Sequence, residues 1–310
     1  MSVERRATLW LLSMCVIWGS SFAVMKLGEE SVASVLGPAA APTAFLFLRF
    51  AAAAAIFPFV FPRAIRVLTP GIVRAGILLS LPFYAGFILQ VSGLHFTTAT
   101  VSAFLTNLTV VVTPFLGRLV FRERMTWGNA AGASVALLGV WVLTDPAGGA
   151  FRIGEVLTAV SAVAWATQIQ MTNVLTRRHP PEALTFVMFC CAALFSGATL
   201  LVMGTDPGAL VRACLAPNVG WTVLFTATVC SIVAITIMNR YQRDLTPTRA
   251  AVIYTLEPVF AAALSAAFLG EPMTLRKLLG GAIIVGGNLV CERIGRPSAA
   301  TTPDPAARSL

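Results

Sequence analysis

Charge is what this chain has least of. Only 11% of its 310 residues are Asp, Glu, Lys or Arg, where a soluble domain carries roughly 25%. A soluble domain of any size is therefore excluded. The sequence has two histidines, His95 and His179, and they fall near the ends of apolar runs on opposite sides. With no H-E-x-x-H and no G-x-S-x-G, the parts for hydrolysis are missing, so an intramembrane enzyme is the weaker alternative. The six cysteines form no C-x-x-C pair and read as small buried side chains, not a metal site or disulfide framework. No G-x-x-x-x-G-K-[ST] loop is present, which argues against ATP as a driving force, and no cofactor is indicated.

Apolar residues are what the chain does have: 57% of the sequence, with a mean hydropathy of +0.83. Uncharged runs of membrane-spanning length recur throughout. Ten spans are predicted, at about 8–27, 42–61, 70–92, 97–120, 126–143, 154–174, 183–203, 218–238, 247–269 and 275–292. Breakers separate them, among them Pro38, Pro62, Pro70, Asp145–Pro146, Pro180–Pro181 and Gly270–Glu271–Pro272. The N-terminal run lacks a convincing small-residue cleavage site and reads as an uncleaved first helix. The Pro-, Ala- and Thr-rich tail, 293–310, is expected to be a disordered cytoplasmic segment.

The net charge of +9 is absorbed by topology, without nucleic acid. Sixteen of the 22 basic residues, from Arg5 and Arg6 to Arg308, fall on one side of these spans. Five, Lys26, Arg152, Arg212, Arg276 and Lys277, fall on the other, and Arg49 lies inside a span. The bias predicts a multi-pass protein of the inner (plasma) membrane with both termini cytoplasmic.

Thr246–Val290 carries a second regularity. Moved back by 148 positions, this stretch falls within residues 97–143 and aligns there without a gap. Thr98 meets Thr246, Leu108 meets Leu256, Glu123 meets Glu271, Gly132 meets Gly280 and Gly139 meets Gly287. An internal duplication follows, with halves 1–146 and 147–292. Five spans per half is an odd number, so the halves lie inverted, a recurrent construction of secondary transporters.

The pieces IWGSSFAVMKLG (17–28), FLRFAAAA (47–54), EVLTAVSAVAWATQIQMTNVL (155–175) and TLEPVFAAALSAAFLGEPMTLRKLLGGAIIVGGNLV (255–290) resemble the EamA family of the drug/metabolite transporter superfamily. The likeness covers nearly all of residues 7–292. It implies an all-α polytopic membrane protein, ten transmembrane helices in two inverted five-helix repeats, and export of small metabolites such as amino acids. The first copy departs from the pattern: Thr109 and Val110 stand where the second has Glu257 and Pro258, and a proline follows only at Pro114.

Glu257 is the one acid deep in a span, where a charge costs about 2.5–3.5 kcal/mol on insertion scales. It is a candidate substrate or proton-coupling carboxylate, with a structural tie to a neighbouring helix or to Arg49 as the plain alternative. Pro258 lacks an N–H, frees the Tyr254 carbonyl and marks a candidate gating kink. Arg49 could bind a carboxylate or pair with Glu257. Seven residues into its span, it is read as structural, at the interface or snorkelling toward it.

Trp18, Ser21, Tyr84, Gln90, Asn107, Trp165, Gln168 and Tyr254 complete the expected substrate-binding set. Singly each reads as interhelical glue; together they read as a cavity lining. Glu123 and Glu271 are expected to cap or salt-bridge their own turns, and Gly128 and Gly132, with Gly280–Gly281 and Gly286–Gly287, to pack within each repeat, a dimer face being the alternative. The expected function is alternating-access export of a small organic solute, protons being the candidate coupling ion, with a channel or passive facilitator as the alternative. Monomer and homodimer both stay open.

Overall fold

The computed structural model describes residues 2–121, 127–144, 152–245, 250 and 253–294. Every regular element among them is helical. Ser2 accepts from the Arg5 N–H and opens α1 (Val3–Leu36), which Gly37 ends at φ +78°. After α2 (Ala41–Val60) and the short α3 (Pro62–Arg66), the Thr69 hydroxyl and Pro70 open α4 (Pro70–His95). α7 (Trp127–Thr144), α8 (Ile153–Leu175) and α9 (Pro181–Val202) follow the broken pair described below. Asp206 caps the short α10 (Pro207–Cys214); the Gly208 and Ala209 N–H groups donate to its carboxylate and hold its pKa below the ordinary carboxylate value. α11 (Val219–Phe225), a π-helical stretch (Thr226–Val233) and α12 (Ala234–Tyr241) form one continuous rod.

Among the described residues, six helical stretches are long and apolar enough to cross a membrane: residues 3–36, 41–60, 70–95, 99–119, 181–202 and 219–244. α7 and α8 also match predicted spans, with more modest apolar stretches. At 34 residues, α1 is about 50 Å long, well beyond a hydrocarbon core of roughly 30 Å. Its last turns carry Lys26, at the end of the predicted first span, and Glu29 and Glu30, which lie beyond that span.

Two predicted spans are not continuous. α5 (Ala99–Thr106) turns at Asn107–Leu108 before α6 (Thr109–Phe121). In the second half the chain turns at Thr255–Leu256 before α13 (Glu257–Leu269), which Gly270 ends at φ +64°. Asn107 and Thr255 are separated by the repeat offset of 148, so both halves break at the same place. Pro258 explains only one of these breaks, because its equivalent is Val110. Glu123 and the start of the ninth span lie outside the described residues.

The halves pack on each other reciprocally. α7 crosses α14 (Leu275–Ile294) at backbone contact. A Cβ on Gly139 would lie 2.6 Å from the Ile284 nitrogen and 2.9 Å from the Gly280 carbonyl. One on Gly287 would lie 2.5 Å from the Ala136 nitrogen and 2.8 Å from the Gly132 carbonyl. Each pair is the other shifted by 148, which is what a two-fold relation requires. These glycines therefore join the repeats, in place of the packing within each repeat expected from sequence: the duplicated small face complements its own copy. Likewise α4 packs on α8 as α12 packs on α1, and α1 packs on α13 as α8 packs on α6.

Gly287→Val forces side-chain atoms into the α7 backbone. Overpacking costs about 1–3 kcal/mol, so the purified protein should melt several degrees lower, whereas Gly286→Ala, at an open site, should leave the melting temperature unchanged.

Candidate substrate cavity

The two helix breaks meet between the repeats. Pro258 has no N–H to offer the Tyr254 carbonyl, and the Asn107 side-chain amide donates to that carbonyl instead, at 2.8 Å. Asn107 is held in turn by the Asn288 side chain, which donates to its Oδ1. The Tyr254 hydroxyl donates to Gln242 Oε1 (2.8 Å), and Gln242 Nε2 donates to the Ile169 carbonyl (3.0 Å). Residues from both halves are thus fixed around one point.

A cavity lies there, lined from α1, α2, α4, α5, α6, α8, α12 and α13. It gives the centre of a water molecule about 60 Å³; one water needs some 10–15 Å³ measured that way, so several fit before any helix moves. Its walls are mainly apolar and aromatic. The Trp165 ring lies edge-on to Phe87 (4.8 Å) and seats on Gly86, where a Cβ would come within 2.8 Å of it. Across the cavity the Trp18 indole donates to the Cys230 carbonyl (3.0 Å) in the π-helical stretch and tilts against Tyr254. Two buried polar atoms of the lining have no protein partner among the described residues: Trp165 Nε1 and Gln168 Oε1.

Two charges line the same cavity. Arg49 is 1% exposed, about 12 Å along α2 from its start. Its Nε donates to the Ser231 hydroxyl (2.8 Å), and its guanidinium stacks over Phe87, 4.6 Å from the ring centre. Glu257 stands at the first turn of α13 and is partly open to the cavity. Neither forms an ion pair among the described residues. The expected pairing of Arg49 with Glu257, and its snorkelling, are both replaced: Arg49 is anchored deep in the bundle by Ser231 and two phenylalanines.

The model of the EamA-like transporter family matches the chain twice, over residues 5–145 and 152–291. The chain belongs to this family. It is similar to an "Uncharacterized transporter" of Archaeoglobus fulgidus, 29% identical over 90% of this chain and 83% of that protein. A "Probable amino-acid metabolite efflux pump" of Salmonella typhimurium is 26% identical over 92% and 94% of the two chains. The protein of that name from Escherichia coli is 25% identical over the same shares. A crystal structure of a protein only 18% identical superposes with a TM-score of 0.65, over 92% of this chain and 96% of the other, which speaks for the fold alone. A polytopic transporter, and not an enzyme, is what the family and these relatives indicate.

Within this EamA-like chain, Trp18, Ser21, Gln90, Asn107, Trp165, Gln168, Tyr254 and Glu257 all reach the cavity. Tyr84 does not: one position round α4 from Phe83, it turns its ring toward Phe195 of α9, at 5.7 Å. Pro258 is buried just past the break. Gln170 and Asn239 serve interhelical contacts, with the Thr113 carbonyl and the Thr185 hydroxyl. Sequence reasoning passed over Arg49 as a lining residue, although its position two turns inside α2 was the available signal. Nothing in the sequence marked the π-helical stretch that presents Ser231 and the Cys230 carbonyl, although such stretches often occur at functional sites.

Asn107→Ala removes the donor that satisfies the Tyr254 carbonyl. A buried unpaired carbonyl costs about 1–2 kcal/mol, so the melting temperature should fall by several degrees; an unchanged value would show that the breaks do not depend on this bond.

Proposed function

We propose that this protein exports amino acids, or closely related amino-carboxylate metabolites, by alternating access through the cavity between its repeats. The observation that carries this reading is the pair of unpaired opposite charges, Arg49 and Glu257, on the walls of one cavity. An isolated charge at this depth is costly and marks function by default. Two such charges of opposite sign, with no ion pair among the described residues, fit a ligand bearing both an ammonium and a carboxylate. The guanidinium suits a carboxylate, Glu257 receives the ammonium, and the aromatic walls take an apolar side chain. Multiply anionic substrates would meet a single cation. The names of the Salmonella and Escherichia relatives point the same way.

In this reading the repeats, 1–146 and 147–292, rock about the cavity. The basic face, with Arg6, Arg177, Arg240 and Arg243, looks to the cytoplasm. Glu257 is also the candidate group for proton coupling.

The test is transport of labelled leucine and phenylalanine by proteoliposomes, with and without a pH gradient. Arg49→Gln and Glu257→Gln should each raise the half-saturating concentration about tenfold or more, the loss of a charged hydrogen bond of about 1.5–3 kcal/mol. Arg49→Lys should recover part of the loss. If pH drives accumulation and Glu257→Gln abolishes it while exchange persists, Glu257 carries the proton. Wild-type transport with both substitutions in place would refute the reading.

A further inference from the structure

We propose that Glu271 is the latch that closes the cavity toward the face on which α1 ends. Its carboxylate sits on the elbow between α13 and α14, in the second repeat, yet it binds the first. It accepts from the Ala99 N–H (2.8 Å), the Thr100 N–H (3.3 Å) and the Thr100 hydroxyl (2.7 Å), all in the first turn of α5. Lys277 Nζ, 3.6 Å away, tethers the same carboxylate to its own elbow. The side chains of Glu271 and Lys277 are 10% and 13% exposed, so the contact is largely shielded from bulk water, where charge-assisted bonds are strongest.

The position of this contact gives it a consequence. α5 and α13 are facing walls of the cavity: Ala103 and Thr106 line it from one repeat and Glu257 from the other. The side chain of Lys26 donates to the Leu94 and Thr97 carbonyls (both 2.8 Å), just before α5, and so fixes the loop on the face where α1 ends. A solute leaving between α5 and α13 toward that face must part α5 from the elbow. Because three bonds converge on one carboxylate, they break together.

α5 does not need Glu271 in order to be a helix. The Thr98 hydroxyl already accepts from the Val101 N–H (3.3 Å) and caps the same end. An acid from the other repeat on an end already capped makes a contact between moving bodies, and water can replace it when that face opens. The expected salt bridge to its own turn is present through Lys277; what the sequence did not show is that the same carboxylate binds the other repeat.

The experiment reads the equilibrium without any substrate, so its outcome is separate from that of the amino-acid reading. The full chain, in a cysteine-free form that still transports, receives Ala103→Cys as a reporter on the cavity wall. A membrane-impermeant maleimide is applied from either side of oriented proteoliposomes. Glu271→Gln and, separately, Thr100→Val should each raise the labelling rate from the face where α1 ends by about tenfold. Each should lower the rate from the opposite face, because opening one side closes the other. Thr100→Ser should label like the parent. Unchanged rates, or equal rises from both faces with a lowered melting temperature, would overturn the latch and leave only a structural cap.

Discussion

The hydrogen bond from the Asn107 amide to the Tyr254 carbonyl is the contact on which the cavity depends. Inside a bilayer no water is at hand for an orphaned backbone group, so a broken helix is tolerated only where protein or a water-filled cavity satisfies it. Both repeats break at the same point. In the second, Pro258 frees a carbonyl; in the first, the turn presents an amide side chain, and the two defects satisfy each other. The breaks open space at the centre of the bundle, and the bond fixes how far apart they stand.

Duplication and divergence then contribute different things. The reciprocal contacts of Gly139 with Ile284 and of Gly287 with Ala136 show the two-fold frame still intact. The charges do not follow it. Glu257 has Thr109 as its equivalent, and Arg49, well inside α2, is held by a serine that a π-helical stretch presents. A symmetric scaffold thus carries an asymmetric cavity, with a guanidinium on one wall and a carboxyl group on another. Had Arg49 and Glu257 formed an ion pair, the cavity would be neutralised from within. Ser231 and the Phe87 face keep the guanidinium in place without cancelling its charge.

Much of this was legible in the sequence. Apolar runs between proline and glycine breakers marked the helices, and the 148-residue offset marked the repeat and the equivalence of the two breaks, though not the breaks themselves. Polar residues inside apolar runs marked the cavity, because lipid excludes them; Tyr84 misled because a single residue step on α4 changes the neighbour it faces. Arg49 was read as interfacial because depth was counted from the start of the span, a count that ignores Ser231, 182 residues away in sequence. The glycine crossing was assigned within repeats because a small-residue face does not name its partner. For Glu271 the sequence led to its own turn, where Lys277 does pair with it, but not to its hydrogen bonds in the other repeat, 171 and 172 residues away.

The central claim is that both charges of the ligand are read at once. Its most direct test is equilibrium binding to the purified protein of leucine, of the amine left when leucine loses its carboxylate, and of the acid left when it loses its ammonium. If Arg49 and Glu257 act together, each truncated analogue binds at least about tenfold more weakly than leucine, since each leaves one buried charge without its partner. If either analogue binds as tightly as leucine, the corresponding charge is not a ligand contact and the account of the cavity is wrong.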